Sequence, residues 1–274
     1  MIAIAIKNLS YHYPDRTPAL LDINLQVKRG LKTAILGMNG SGKTTLLYHL
    51  NGVIPVESGE VQVFGTPVVK ERITEVRRMV GLLFDNPDNQ LFSTTLRNDI
   101  AFGPRNLRLE PALVHRKVEE AMQLLSIEDL ADRPPYCLSL GQKKRAAIAG
   151  LISMEPQVLV FDEPFSGLDP ALGRQFRELL DELVSGGCTL VYSTHDVDLA
   201  YAWADEVVLM HSGRVLKSGP VDLLCDEKTM MRANLPVPLL GRIFQGWNEK
   251  PRTLEEALNL MGSTGLAKGK RLQA

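Results

Sequence analysis

Eight residues, Gly37 to Thr44, constrain this chain more than any others. They fill every fixed position of the spacing G-x-x-x-x-G-K-[ST], and their context agrees. Ala34-Ile35-Leu36 is a short apolar run of strand type, and Lys43 to Leu50 continues as a helix. Glycines at 37, 40 and 42 let the backbone turn tightly and present successive N–H groups to an anion. The helix that opens near Gly42 aims the positive end of its dipole at the same point. Lys43 then reaches the outer phosphates as a point charge, and the Thr44 hydroxyl holds a magnesium ion. A turn that merely joins strand to helix would not require the lysine, the threonine, the strand and the helix all to agree. The stretch reads as a nucleoside triphosphate site.

Three further stretches bear on the same chemistry. Val158-Leu159-Val160-Phe161 is a continuous apolar run of the kind found in buried parallel strands, and it ends in Asp162-Glu163-Pro164. Open α/β sheets bind ligands at the C-terminal ends of such strands. Asp162 there can enter a magnesium shell, and Glu163 can orient and polarise an attacking water. A pair of solvated acids is the plain alternative, which the phosphate loop upstream disfavours. Cys188 to Tyr192 is another buried strand, running into Ser193-Thr194-His195-Asp196. A histidine so placed can donate a hydrogen bond to a phosphate or a water, although a lone strand-end histidine is more often structural. Residues 138–152 open a helix with Ser139 as its N-cap. Capping explains the serine but not the glycine and glutamine that follow so closely, which hints at a second anion-binding helix end.

Size and composition narrow the rest. A chain of 274 residues buries a full core and suits one large domain, or one with an appendage. A net charge of −1 supplies no basic field, which argues against nucleic acid as a partner. Cys137, Cys188 and Cys225 lack metal-ligand spacing and read as free thiols in a reducing compartment. The five histidines are scattered, so spacing argues no transition-metal site. Met1 to Leu9 is apolar but lacks a basic start and is interrupted by Lys7, which reads as a strand rather than a signal peptide. No run approaches the ~20 apolar residues of a membrane helix, so any membrane span must come from other chains.

Along the chain, Ile2, Ile4 and Ile6, then Leu21, Ile23, Leu25 and Val27, alternate as antiparallel strands. Between them Tyr13 can stack on a base or pack as a strand-end aromatic, and composition leaves both open. Glu57 to Phe64 reads as turn then strand, and Met79 to Phe84 as a buried strand followed by a polar loop to Gln90. From Leu96 to Leu130 the pattern is helical, with Val114, Val118, Ala121, Met122 and Leu125 forming one apolar stripe. Asp169-Pro170 starts a helix to about Val184 with Leu172, Phe176, Leu179, Leu180 and Leu183 inward. Glu206 to Met210 and Arg214 to Leu216 flank a hairpin turn. The pattern loosens from Asp226, Thr253 to Glu256 is a capping box opening a last helix to Met261, and the tail after Gly262 is expected to fray.

Taken together, these motifs resemble the ATPase subunit of ABC transporters over residues 1 to about 225. The resemblance implies an α/β fold, a P-loop NTPase with a mixed sheet core, an antiparallel β subdomain and an α-helical subdomain at about 94–153. Residues 1–225 form its nucleotide-binding domain and 226–274 a C-terminal extension. On that resemblance Tyr13 stacks on adenine, and Gly37, Asn39, Gly40, Ser41, Gly42, Lys43, Thr44 and Thr45 contact ATP as the Walker A loop. Thr44 and Asp162 hold Mg2+, while Glu163 and His195 are the catalytic glutamate and switch histidine. Ser139, Gly141 and Gln142 are similar to the ABC signature, which acts in trans, and Asp169 belongs to the D-loop.

Within the family, Asn86 to Phe92, Asp99 to Pro104, Leu140 to Arg145 and the C-terminal extension look like energy-coupling-factor importers of the cobalt and nickel type. That likeness implies a homodimer, or a heterodimer with a paralogous ATPase, on the cytoplasmic face of the cell membrane. Integral coupling and substrate-binding subunits complete such a system, and a vitamin is the alternative cargo. Two positions depart from the family pattern. Leu140 stands where the signature has a second glycine, so its side chain must point away from phosphate. Asp85 stands where the Q-loop glutamine belongs, and Gln90 lies five residues on, leaving the Q-loop role open between them.

The implied mechanism sandwiches two ATP molecules between Walker A of one subunit and the signature of the other. Binding closes the pair, and hydrolysis reopens it, moving residues 94–135 against the membrane subunit. Other ABC classes fit less well. DNA-repair members place long coiled coils between Walker A and signature, and Lys43 and Ser139 are too close for that. Translation factors carry two cassettes and a basic linker, and a non-enzymatic regulator should lack Glu163 or His195.

Overall fold

A computed structural model describes residues 1–263. Strand β1 (Ile2–His12) turns Ile4, Ile6 and Leu9 into the core. Ile2 is exposed, because a register shift between Ile2 and Ile4 breaks the alternation there. Strand β2 (Pro18–Lys28) pairs antiparallel with it, Leu25 opposite Ile6. Next come β3 (Lys32–Leu36) and α1 (Lys43–Leu50), the element pair around the phosphate loop. Strands β4 (Glu60–Val63) and β5 (Thr66–Pro67) complete a four-stranded antiparallel sheet in the order β2-β1-β4-β5.

Helix α2 (Ile73–Met79) leads into β6 (Val80–Leu83), whose four residues are all buried. Helices α3 (Leu96–Asn106), α4 (Pro111–Leu124) and α5 (Leu140–Ile152) then form the helical region. The Thr95 side chain caps α3 by accepting from the Asn98 N–H, and the stripe from Val114 to Leu125 is buried as its period requires.

The chain returns through β7 (Val158–Phe161), α6 (Pro170–Ser185), β8 (Thr189–Thr194), α7 (Val197–Trp203), β9 (Glu206–His211) and β10 (Arg214–Pro220). The second sheet runs β10-β9-β3-β8-β7-β6, parallel throughout except for the antiparallel edge β10. Its central strands are apolar on both faces because helices and the first sheet cover both sides. Two expectations shift. Strand β8 begins at Thr189 and continues through Ser193 and Thr194, and on α6 Leu172 and Leu183 are only half-buried while Phe176, Leu179 and Leu180 are inside.

After residue 225 the loosened pattern resolves into α8 (Glu227–Arg232), α9 (Leu239–Ile243) and α10 (Leu254–Ser263). Thr253 and Glu256 form the capping box, each backbone N–H donating to the other's side chain. Met230, Ala233 and Leu235 join the main core, and Arg252 donates from Nε to the Tyr201 carbonyl at 2.7 Å and from its guanidinium to the Ala204 carbonyl. The segment therefore packs on α7 rather than trailing from it. The frayed tail expected after Gly262 lies, beyond Ser263, outside the described residues.

Candidate nucleotide site

Four neighbouring strands converge at one edge of the parallel sheet. Leu36 is paired with Thr194, Tyr192 with Phe161, and Phe161 with Leu83. The next residues along each strand are Gly37, His195, Asp162-Glu163 and Phe84-Asp85. Motifs as far apart as 37 and 195 in sequence thus leave the sheet side by side at its C-terminal edge, the usual ligand position of such sheets. There Tyr13, Thr17, Asn39 to Thr45, Asp85, Asp162 and Glu163 line a cavity of about 520 Å³.

The phosphate loop is shaped by steric demands that glycine alone meets. Gly42, the N-cap of α1, has φ +100°, and a Cβ there would stand 2.7 Å from the Ala19 carbonyl oxygen. A Cβ on Gly37 would meet the Met210 carbonyl oxygen at 2.5 Å. Lys43 is buried, and its Nζ donates to the Gly37 carbonyl at 2.8 Å and the Met38 carbonyl at 3.3 Å. Burial pushes its ammonium below the ordinary lysine range, and the Glu163 and Asp162 carboxylates pull it back up. Ser41 Oγ is buried with no hydrogen-bond partner, a polar atom left for a ligand to satisfy.

Thr44 Oγ1 donates to Asp162 Oδ2 at 2.6 Å, bringing together two hard oxygens of the kind magnesium takes. Among the described residues no group of three or more His, Cys, Asp or Glu could hold a metal ion. A magnesium ion held by Thr44 and Asp162 would need its remaining oxygens from phosphate and water, as that ion prefers. The residues present fit a magnesium nucleotide.

Glu163 is held in an unusual conformation. Its φ is +45°, left-handed for a residue with a Cβ, at a cost of roughly 1–2 kcal/mol. Ser193, fully buried, accounts for how it stays there. Its Oγ donates to Asp162 Oδ1 at 2.5 Å and accepts from the Glu163 N–H at 2.9 Å. One hydroxyl thus orients both acids. Sequence reasoning gave Ser193 no role; the available signal was a serine continuing an apolar strand toward the same edge as the two acids. His195 Nδ1 lies 3.1 Å from each Glu163 oxygen, on the exposed side of that carboxylate.

Tyr13 is half exposed at the cavity wall, its hydroxyl 2.7 Å from Thr45 Oγ1 and its ring edge-to-face with Tyr11. It lines the cavity, where its ring is available to a base. Asp85 also lines the cavity, whereas Gln90 turns away from it. Gln90 Oε1 accepts from the Phe84 N–H at 3.3 Å, and Nε2 donates to the Ala147 carbonyl at 3.5 Å. Ser139, Gly141 and Gln142 are not among the residues lining this cavity. They form a capping box at the start of α5, Ser139 Oγ accepting from the Gln142 N–H and Gln142 Oε1 from the Ser139 N–H. The Leu140 side chain lies toward Gly167, its Cδ2 2.9 Å from where a Cβ on that glycine would stand. Asp169 caps α6, accepting from the Ala171 and Leu172 N–H groups.

Comparison with known proteins supplies the family. The family model described as ABC transporter matches residues 20–166. The energy-coupling factor transporter ATP-binding protein EcfA of Carboxydothermus hydrogenoformans is 43% identical over 263 residues, covering 95% of this chain and 97% of that protein. Its namesake from Methanocaldococcus jannaschii is 43% identical over 253 residues, 91% of each chain. Among solved structures, cbiO1 from Clostridium perfringens, described as part of the ABC transporter complex cbiONQ, is 40% identical with a TM-score of 0.73. That match covers 89% of this chain and 99% of the other. A dimeric ATP-binding cassette in a post-hydrolysis state with ADP and Pi matches at 25% identity and a TM-score of 0.73, covering 80% of this chain and 98% of that one. The chain belongs to the ABC transporter family, as an ATP-hydrolysing subunit of the energy-coupling-factor type.

Proposed function

We propose that this ATPase works as a pair of subunits that clamps two ATP molecules, each between the phosphate loop of one and Ser139, Gly141 and Gln142 of the other. The supporting observation is the division of motifs. Lys43, Thr44, Asp162 and Glu163 line one cavity, and the capped start of α5 lies outside its lining. A helix end that carries a signature but lines no nucleotide cavity of its own is explained by a nucleotide on a second subunit.

In this reading Tyr13 stacks on adenine, Asn39 to Thr45 enclose the phosphates, and Lys43 exchanges its two backbone carbonyls for phosphate oxygens. Thr44 and Asp162 hold Mg2+, which supplies positive charge against the β- and γ-phosphates. Glu163 accepts a hydrogen bond from water and keeps it in line with the γ-phosphorus. His195 steadies that carboxylate and donates toward the phosphate as it leaves. Asp85 takes the Q-loop position at the cavity wall, and Gln90 braces the loop against α5. Residues 1–225 constitute the nucleotide-binding domain and residues 226–274 an extension, of which the described part, 226–263, packs on that domain. Glu163→Gln is expected to bind ATP, to hydrolyse it on the order of 10²-fold more slowly, and to elute as a closed dimer. Wild-type turnover in that variant overturns the assignment.

Coupled to integral membrane subunits, a coupling one and a substrate-binding one, the pair drives import from the cytoplasmic face of the membrane. Among the described residues no helix is long and apolar enough to cross a membrane, so in this reading partners supply the spans. Names of the relatives support the energy-coupling-factor assembly, and the stretches 86–92, 99–104 and 140–145 support cobalt or nickel as cargo. Purification with the membrane subunits followed by metal analysis tests the cargo. A bound vitamin in place of metal reassigns it, and recovery of the chain on ribosomes or DNA overturns transport.

A further inference from the structure

Three consecutive basic residues on α5 have three different attachments. Lys143 pairs with Asp88 at 2.6 Å, and Arg145 donates to the Leu125 and Ser126 carbonyls at 3.1 and 3.0 Å. Lys144, between them, is 4% exposed and makes no ion pair among the described residues. Its ammonium donates instead to two backbone carbonyls, Pro164 at 3.3 Å and Ser166 at shorter range. A buried cation whose hydrogen bonds all go to carbonyls, near the Asp85 and Glu163 carboxylates but paired with neither, still costs desolvation that an apolar side chain of similar length avoids. The ammonium is explained by what it connects. Pro164 directly follows Glu163 and Ser166 lies three residues after it, whereas Lys144 sits on the helix that Ser139 caps. Packing also touches here, with Leu140 toward Gly167 and Leu172 toward Gly141. A groove of about 260 Å³ lined by Gly141, Lys144, Leu168 and Leu172 leaves that contact incomplete, and the Lys144 ammonium is a polar tie across it.

We propose that Lys144 is a positioning residue that couples the two nucleotide sites. It ties the catalytic segment of one site to the signature helix that, on the paired-subunit reading above, serves the other. Displacement of Pro164 to Ser166 when Glu163 engages its nucleotide reaches α5 through these hydrogen bonds, which hold the carbonyls of that segment directly. The inference rests on that reading, and the experiment separates the two.

The test is ATP hydrolysis by the full-length chain as a function of ATP concentration, with nucleotide affinity measured in parallel. Wild type is expected to show a Hill coefficient approaching the number of sites. Lys144→Met, which keeps length and loses the donors, is expected to fall toward non-cooperative turnover, with saturated rate reduced roughly ten-fold and nucleotide affinity within about two-fold. Lys144→Arg, which restores donors, is expected to recover cooperativity. A merely structural lysine would leave the Hill coefficient alone. Should the methionine variant not fold, Lys144→Gln carries the same expectation of weakened cooperativity. A cooperative wild type with an equally cooperative Lys144→Met, or Lys144→Gln in its place, overturns the coupling alone. A wild type that neither cooperates nor dimerises with ATP overturns the paired reading, and the coupling with it.

Discussion

Ser193→Ala removes one oxygen from a position with no solvent exposure, and the structure says what that oxygen does. It gives a proton to Asp162 Oδ1 at 2.5 Å and takes the Glu163 N–H at 2.9 Å. Losing a hydrogen bond to a buried carboxylate costs about 1.5–3 kcal/mol, and orphaning a buried backbone N–H about 1–3 kcal/mol. A water entering the vacated space recovers part of both, so a net loss of about 2–3 kcal/mol is expected. In a chain of this size that lowers the melting temperature by roughly 5–10 °C. The kinetic effect is separate. Without the serine, Glu163 is free to relax from its φ of +45°, carrying its carboxylate away from the attacking water. A displacement of that kind lowers kcat by on the order of 10²-fold. ATP affinity measured without magnesium should stay near wild type, because Lys43 and the phosphate loop are not touched. Thermal melts, nucleotide titration and steady-state hydrolysis on one preparation give all three readouts, and Ser193→Thr should recover most of the loss. An alanine variant that melts and turns over like wild type refutes the reasoning.

Two other perturbations follow from the same contacts. His49 is buried, with Nδ1 2.7 Å from the Thr45 carbonyl and Nε2 unpartnered, and burial holds its pKa below the ordinary 6.5. Below pH 6.5 the unfolded chain therefore binds a proton that the folded chain refuses, so stability is lost as pH falls through that window and is level above it. Replacing His49 by Phe should flatten the acid limb of melting temperature against pH just below 6.5, and an unchanged limb rejects the assignment. Arg252→Ala removes the guanidinium that satisfies the last carbonyls of α7 and is expected to destabilise by about 1–3 kcal/mol in urea titration, with Arg252→Lys recovering part.

How much of this was legible in the sequence depends on how far apart the cooperating atoms lie. The phosphate loop, the capping box at Thr253, and the stripe from Val114 to Leu125 each act over a few residues, so spacing alone conveys them. At Ser139 capping was expected to explain only the serine, and the structure shows Gln142 completing a capping box with it. The antiparallel pairing of the first two strands and the burial of β7 followed from periodicity. Ser193 was illegible because its partners are 30 and 31 residues away and its neighbours form a uniform apolar strand. Arg252 was illegible for the same reason, with its carbonyl partners 51 and 48 residues upstream. The extension after residue 225 looked loose because its helices are short, and a short helix shows too few turns for a period.

The choice between Asp85 and Gln90 shows the limit most clearly. Side-chain chemistry leaves the two open, since aspartate can ligate magnesium but is shorter and adds a negative charge near the γ-phosphate, while Gln90 lies five residues on. Geometry favours Asp85, which directly follows the β6–Phe84 segment that the sheet delivers to the cavity edge. Beyond it, Asn86 accepts from the Asp88 N–H and a single turn at Pro87–Asn89 carries the chain away. Gln90 comes back only far enough to reach the Phe84 N–H and Ala147. Five residues of extended chain could span the cavity, but five residues containing a turn cannot. The extra charge of Asp85 is therefore met by its surroundings rather than avoided. Buried Lys43 lines the same cavity, and Lys144 lies close enough to Asp85 for that carboxylate to hold its ammonium up against burial. A nucleotide entering beside Asp85 meets its carboxylate with Lys43 in the same lining, and Asp85→Asn is expected to tighten ATP binding modestly in a nucleotide titration.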